Sequence, residues 1–443
     1  MRGTRSARRR LAALARWATL VLLLILPGPV RALPARAAPP SELTVYLMTF
    51  GPGRQVWERF GHNALWIHDP VHGTDEAYNY GLFDFHQENF VLRFVRGQMW
   101  YWMAGFPAQQ YVHQYERDNR SVWVQELELP PRARIQLQEL LRWNAEPEHR
   151  FYHYDYYRDN CSTRVRDALD RVLNGALRQQ TAGVPSGTTY RFHTQRLTAN
   201  EPLVFTGLLL ALGEGVDRPI SAWEEMFLPL AMRDHVRRVT LPGPAGTRVP
   251  LVRSERTIFQ SSAPVPPARP PSWVPWYLAL GAAIGGSALL LVRSARRSAA
   301  ARFGFMTIVG GWAILAGLAG LLLAGLWGLT DHAMAAHNEN LLQLNPLALL
   351  LLPAMRAALA GKPAGRFFRG AALLVAGLSV LGLALKLLPG FDQVNGPIIA
   401  LALPAQVGIA AALGRLRVGG PGAATLPARA TVRPVSQEVP DRR

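Results

Sequence analysis

Two stretches of this chain, Trp273–Val292 and Phe303–Leu329, contain no charged residue and are each long enough to cross a bilayer. No other feature restricts the fold as strongly. A backbone in hydrocarbon has no water to bond to, so each stretch must satisfy its own peptide groups as a helix. Three further apolar runs follow: Leu341–Ala360, with Pro346, Pro353 and Arg356 inside or near its end, then Ala371–Leu388 and Pro397–Gly414. Together they predict an all-α transmembrane domain of about five helices over 273–417, followed by a disordered cytoplasmic tail over 418–443.

The flanking charges orient these spans. Arg293, Arg296, Arg297 and Arg302 lie between the first and second runs. Arg356, Lys362, Arg366 and Arg369 lie between the third and fourth, and Arg415 and Arg417 follow the last. The alternate loops, Thr330–Asn340 and Gly390–Gly396, contain neither Lys nor Arg. Basic loops stay in the cytoplasm, so everything before Trp273 is expected outside. The start of the chain agrees. Arg2, Arg5 and Arg8 to Arg10 precede an apolar core centred on Ala18–Leu26, and Ala35-Arg36-Ala37 resembles a cleavage site, so residues 1–37 read as a signal peptide. The net charge of +18 is largely gathered in these short flanking clusters, which speaks for membrane topology and against a nucleic-acid partner.

Residues 42–262 carry the Asp, Glu, Tyr and His of a globular domain, and a proline-rich linker over 263–272 follows it. Leu43–Phe50, Asn63–His68 and Ala77–Phe85 are β-prone runs separated by turn residues, the pattern of a β-meander. Val122–Leu129 reads as another strand, Phe106–Arg117 and Ile135–Trp143 as helices. Leu203–Leu212 is apolar but too short to span. Trp223–Arg233 reads as a helix and Arg248–Ile258 as holding a short strand. This mixed order predicts an α+β domain.

The single cysteine, Cys161, sits where a helix should begin. Asp159 and Asn160 are favoured N-cap residues, and Val165, Ala168, Leu169, Val172 and Leu173 recur at helical spacing on the face that holds Cys161. Most lone cysteines are small buried hydrophobes. Here the neighbours are Arg158, Asp159, Asn160, Ser162, Thr163 and Arg164, and the segment is exported, where an unpaired thiol stands out. A thiol at a helix N-terminus is favoured as thiolate, the nucleophile of acyl transfer. His62, which opens the strand after Gly61, is the candidate base; the alternative is an ordinary half-buried histidine. His149, His153 and Asp155 lie close in sequence, but no second cluster supports a metal site, and no cofactor fingerprint is present.

The runs Thr49–Gly53 (TFGPG), Trp57–Ile67 (WERFGHNALWI), Tyr78–Phe85 (YNYGLFDF) and Tyr154–Leu169 (YDYYRDNCSTRVRDAL) resemble the Lnb family of lipoprotein N-acylation transacylases. The likeness is specific over about Leu43–Leu177. In the membrane half it is weaker, carried by Asp331-His332 and Asn338–Pro346. The resemblance implies a papain-like domain of the permuted NlpC/P60 or LRAT type, in which the histidine precedes the cysteine, standing outside a bacterial inner membrane. It implies Cys161 as nucleophile and His62 as base. It does not fix the third, orienting residue; Asn79 is the choice because it lies on the next strand, and Asp84, also a candidate substrate contact, is the runner-up. The implied reaction moves an acyl chain of a diacylated lipoprotein from its glycerol ester to its N-terminal amine through a thioester, the partner being that lipoprotein or membrane lipid. Two other readings are a cysteine hydrolase of cell-wall amides and a non-catalytic envelope sensor. The outer loop Thr330–Asn340, by the topology above on the same face as Cys161, is expected to line the substrate entry with Asp331, His332 and Asn340.

Overall fold

The computed structural model describes residues 42–295, 297–353 and 365–415. The expected signal peptide and cytoplasmic tail lie outside these residues.

Strands β1 (Thr44–Phe50), β2 (His62–Asp69), β3 (Thr74–Leu82) and β4 (Trp100–Pro107) form the expected meander, with a short helix α1 (Phe90–Arg96) between the last two. Helix α2 (Ala108–Arg117), β5 (Val122–Leu127), α3 (Pro131–Ala145), β6 (Phe151–His153) and α4 (Cys161–Val172) follow. A final strand, β6's distant counterpart at the other sheet edge, is β7 (Val252–Phe259). The seven strands pair in the order β7-β5-β1-β2-β3-β4-β6, every neighbour antiparallel.

Alternation along the strands gives the sheet two apolar faces. Val45, Leu47, Leu65 and Ile67 face α3 and α4, which return Leu137, Leu141, Val165 and Leu169. Met48, Phe50, Ala64 and Ala77 face α2 through Tyr111 and Tyr115. The chain therefore forms an α+β domain with helices on both sides of one sheet. The buried Val165, Leu169 and Val172 of α4 keep the helical spacing read from the sequence. Each such side chain contributes roughly 1.5–3 kcal/mol on burial.

Strand β6 ends at His153, and the chain then turns towards α4. The helix expected over Trp223–Arg233 is two short helices, Ala222–Glu225 and Pro229–Val236, because Pro229 cannot donate into a continuing helix.

The apolar helix α5 (Pro202–Ala211) does not belong to the sheet domain's core. Its Phe205 and Leu209 pack with the membrane helices. Among the described residues, four helices are long and apolar enough to span: α6 (Val274–Ser294), α7 (Ala299–Leu329), α8 (Arg366–Leu385) and α9 (Gly396–Arg415). The remaining expected span, Leu341–Ala360, is broken in its described part into a turn of helix at Asn340–Gln343 and a 3-10 segment at Pro346–Leu351. Pro346 interrupts the ladder there, and the rest of that stretch lies outside the described residues. Helices α6 and α9 touch through Gly281 and Gly285, where a side chain would strike the backbone at Leu401 and Pro404. Small residues allow such close approach in membranes.

The two loops free of Lys and Arg meet the sheet domain. Gln393 Nε2 donates to the Leu212 carbonyl at 3.0 Å, and Asn338 Nδ2 donates to that of Leu210 at 2.7 Å. Lys386 pairs with Glu339 and ties the loops to each other. The face of the bundle predicted from charge to be outer is therefore the one that carries the N-terminal domain.

Candidate active site

Asn160 caps α4. Its Oδ1 accepts from the amides of Ser162 and Thr163, both at 2.9 Å, and its own amide donates to Thr163 Oγ1 at 2.8 Å. Its Nδ2 donates to the carbonyls of Tyr156 and Phe227, at 2.8 and 2.9 Å. Asp159 instead forms an ion pair with Arg164. Cys161 is thus held at the first helical position. It is 8% exposed.

The register between helix and sheet is fixed one residue further on. Ser162 Oγ donates to Asn63 Oδ1 at 2.8 Å and shares its lone proton with the Met226 carbonyl at 2.7 Å, both bonds buried. Asn63 follows His62, so the Cys161–Ser162 step lies over the His62–Asn63 step. The backbone amide of Asn63 reaches the Cys161 sulfur. That amide is available because the β2–β3 ladder stops at Leu65–Tyr78. Beyond it, a bulge in β3 between Tyr80 and Leu82 turns the strand away.

Gly81 occupies that bulge with φ +91°, and a Cβ there would lie 3.2 Å from the Cys161 Cβ. The sequence gives no hint of this role, which depends on where α4 lands. Gly81→Ala combines an unfavourable backbone angle with that contact, each pressing on the cysteine. Strain of about 1–3 kcal/mol should slow Cys161 labelling and acyl transfer by about tenfold or more. Labelling and transfer rates measured beside the thermal midpoint check this, since rates should fall further than stability.

His62 is half-buried, stacked near Phe50 and Tyr115 with centroids 6.1 and 6.4 Å away. Its Nε2 lies 2.5 Å from Asn79 Oδ1. An N–H donated to that oxygen leaves Nδ1 as the basic atom. Asn79 is itself buried. Asp84, the other candidate for the orienting position, lies on an exposed turn where it accepts from the amide and Nδ1 of His86, at 2.8 and 2.9 Å. It does not join the His62–Asn79 pair.

Arg120 is a participant that sequence reading missed. It is buried, stacks its guanidinium 4.6 Å from the Tyr115 ring centroid, and donates from Nε to the Gly51 carbonyl at 3.0 Å. Its positive charge acts on both members of the pair. Burial pushes the His62 imidazole down to about 4; the bond to Asn79 opposes this and Arg120 adds to it. Burial pushes the Cys161 thiol up to about 11, against the amides of Asn63 and Ser162 and the charge of Arg120. Between those values the resting pair is thiol and neutral imidazole. Only the thiolate reacts with alkylating reagents, so iodoacetamide labelling of the full-length protein should accelerate about tenfold per pH unit from neutrality towards 11. A plateau already reached near pH 7 would mean a resting ion pair.

The loop residues have defined places. His332 uses both ring nitrogens: Nδ1 is 2.8 Å from the Tyr156 hydroxyl and Nε2 is 2.9 Å from the Phe94 carbonyl. Its ring also stacks on Tyr156. Asp331 accepts from Gln98 Nε2 at 3.0 Å, and its amide donates to the Arg96 carbonyl at 2.8 Å. Asn340 is fully buried, with Nδ2 donating to the carbonyls of Leu209 and Leu210 at 3.1 Å each. The loop is therefore a fastener between the sheet domain and the bundle. Asn340 serves α5, and His332 reaches Tyr156, a few residues before Cys161.

Among the described residues no cluster of His, Cys, Asp or Glu could hold a metal ion. Two family models match this chain: the Lnb N-terminal periplasmic domain over residues 31–196, and the Lnb transmembrane domain over residues 287–390. The chain belongs to the Lnb family. The first match contains Cys161, His62 and Asn79, and the second contains the Thr330–Asn340 loop. No curated relative and no solved structure matches. The sheet domain is periplasmic and the helical half is an inner-membrane, multi-pass domain.

Proposed function

We propose that this Lnb protein is a membrane-anchored thiol acyltransferase that moves an acyl chain within diacylated lipoproteins, with Cys161 as nucleophile, His62 as base and Asn79 as the orienting residue. One observation carries the reading. A cysteine at a helix start is registered, through the Ser162–Asn63 bond, against the strand that opens with a histidine whose Nε2 is held by a buried Asn, in a domain fastened directly to the membrane bundle. A substrate that never leaves the bilayer suits such a site, whereas a wall hydrolase has no need of the fastening.

The steps follow from the atoms present. His62 Nδ1 takes the thiol proton as sulfur attacks the ester carbonyl of the glyceryl group. The carbonyl oxygen becomes an oxyanion. The Ser162 and Thr163 amides are already bonded to Asn160, so the donors left for it are the amides of Cys161 and Asn63. Such donors act where charge develops. The tetrahedral species collapses, the C–O bond breaks, and His62 returns the proton to the departing alkoxide. The lipoprotein's α-amine then attacks the thioester, its proton passes to His62, and Cys161 leaves as thiolate to be reprotonated. The product is an amide at the N-terminus and a free glycerol hydroxyl.

Mass spectrometry of lipoprotein N-termini from cells with and without the protein tests this reading. N-acylated lyso forms should require it. Identical N-termini in both would refute it.

A further inference from the structure

Helix α1, Phe90–Arg96, buries none of its residues. Val91 is 73% exposed, Val95 50%, Leu92 48% and Phe94 45%. Val91 and Val95 share one face, four residues apart. Arg93 and Arg96 stand on the same short helix, and neither is within ion-pair distance of a carboxylate among the described residues. A soluble surface rarely gathers so many bare apolar side chains in one turn and a half.

The position of the helix says what covers it. Its last turn is bonded to the start of the outer loop: the Arg96 carbonyl accepts from the Asp331 amide, and the Phe94 carbonyl lies 2.9 Å from His332 Nε2. Asp331 is two residues beyond Leu329, where α7 ends. Trp327 and Leu329 are exposed at that end, as expected of a membrane–water interface. A helix of this length extends only about 10 Å from that attachment, which keeps all of it near the headgroup layer. The apolar face, with two arginines that no carboxylate among the described residues neutralises, matches an acyl boundary beneath anionic phosphates.

We propose that α1 lies in the plane of the outer leaflet, with Val91, Leu92 and Val95 inserted among the acyl chains, and that an acyl chain enters the protein beside it. An aromatic path leads inwards from the helix. Phe90 lies 6.3 Å from Phe83, Phe83 lies 5.0 Å from Tyr101, and Tyr101 lies 4.1 Å from Tyr154, centroid to centroid. Tyr101 and Tyr154 both pack against the core cluster that contains Cys161. The path to Cys161 rests on the acyl-transfer reading; the insertion of α1 does not.

The test uses the full-length protein with Cys161→Ser, reconstituted in phosphatidylethanolamine–phosphatidylglycerol vesicles, with single nitroxide labels at Val91→Cys, Leu92→Cys or Val95→Cys. Val71→Cys is the reference, being 67% exposed on the turn between β2 and β3, at the far end of those strands from His62. Labels on α1 should collide with oxygen several-fold more, relative to a water-soluble nickel complex, than the label at Val71. They should report depths of about 5–10 Å below the phosphates. If the α1 labels meet the nickel complex as freely as the Val71 label does, the helix is not inserted and the proposal is overturned. That outcome would leave lipoprotein acyl transfer, read separately by mass spectrometry, untouched.

Discussion

Cys161→Ala should abolish the proposed N-acylation of lipoproteins, with a loss on the order of 10⁴-fold or more, because on this reading Cys161 carries the acyl intermediate. The substitution should leave the fold intact. Cys161 is buried at the rim of the core, and alanine keeps its Cβ, its place at the helix start and the Ser162–Asn63 bond that sets the register. Protein levels and thermal midpoint should stay near wild type while the N-acylated product disappears from the mass spectrum. Cys161→Ser should fare little better, since a hydroxyl in the same buried place is far harder to deprotonate with His62 held near 4.

The second large effect is that of the base. On the proposed mechanism His62→Ala would remove the acceptor of the thiol proton and the donor for the leaving alkoxide, and should lower transfer by about 10²–10⁴-fold. Asn79→Ala should cost less, because it removes the hydrogen bond that orients the imidazole and leaves the imidazole itself in place. The two losses should fall well short of additive in the double variant, since Asn79 acts through His62. Transfer rates for the two single variants and the double one measure this. Additive losses would mean that Asn79 works independently of the histidine.

Much of this architecture is legible in the residues, and what is not has physical reasons. Charge-free runs bounded by arginines announce α6 and α7 because hydrocarbon tolerates nothing else. The spacing of Val165, Leu169 and Val172 after Asn160 announces α4 because cap and apolar stripe are local properties. Strand β7 pairs with β5 across more than a hundred residues of sequence, a relation no local pattern encodes. Strand β4 was hidden in Trp100-Tyr101-Trp102-Met103, where large residues on both faces erase the alternation. The third span, weaker in the sequence and carrying Pro346, is divided at Asn345-Pro346.

At the site, Cys161 and His62 were visible as residue types in special places. Asn79 is chosen over Asp84 because it lies on the next strand. Asn79 lies within β3, where its side chain can reach the histidine of the paired strand, while Asp84 falls past the strand's end and turns to His86. Arg120 and the Asn63 amide escaped notice because one is a lone arginine among many and the other is backbone. Asn340 reads as a substrate contact because its loop is polar and on the same face as Cys161; its side chain is buried, and Nδ2 donates to carbonyls at the end of α5.

The most direct test of the account asks where the acyl chain rests. The full-length protein in vesicles is given a diacylated lipopeptide whose α-amine is acetylated, so the first half-reaction proceeds and the second cannot. Intact and peptide mass spectrometry should then find one added acyl chain on the peptide containing Cys161, released by neutral hydroxylamine and absent from Cys161→Ala. An acyl chain on any other residue, or N-acylated product formed from the unblocked lipopeptide by Cys161→Ala, would contradict it.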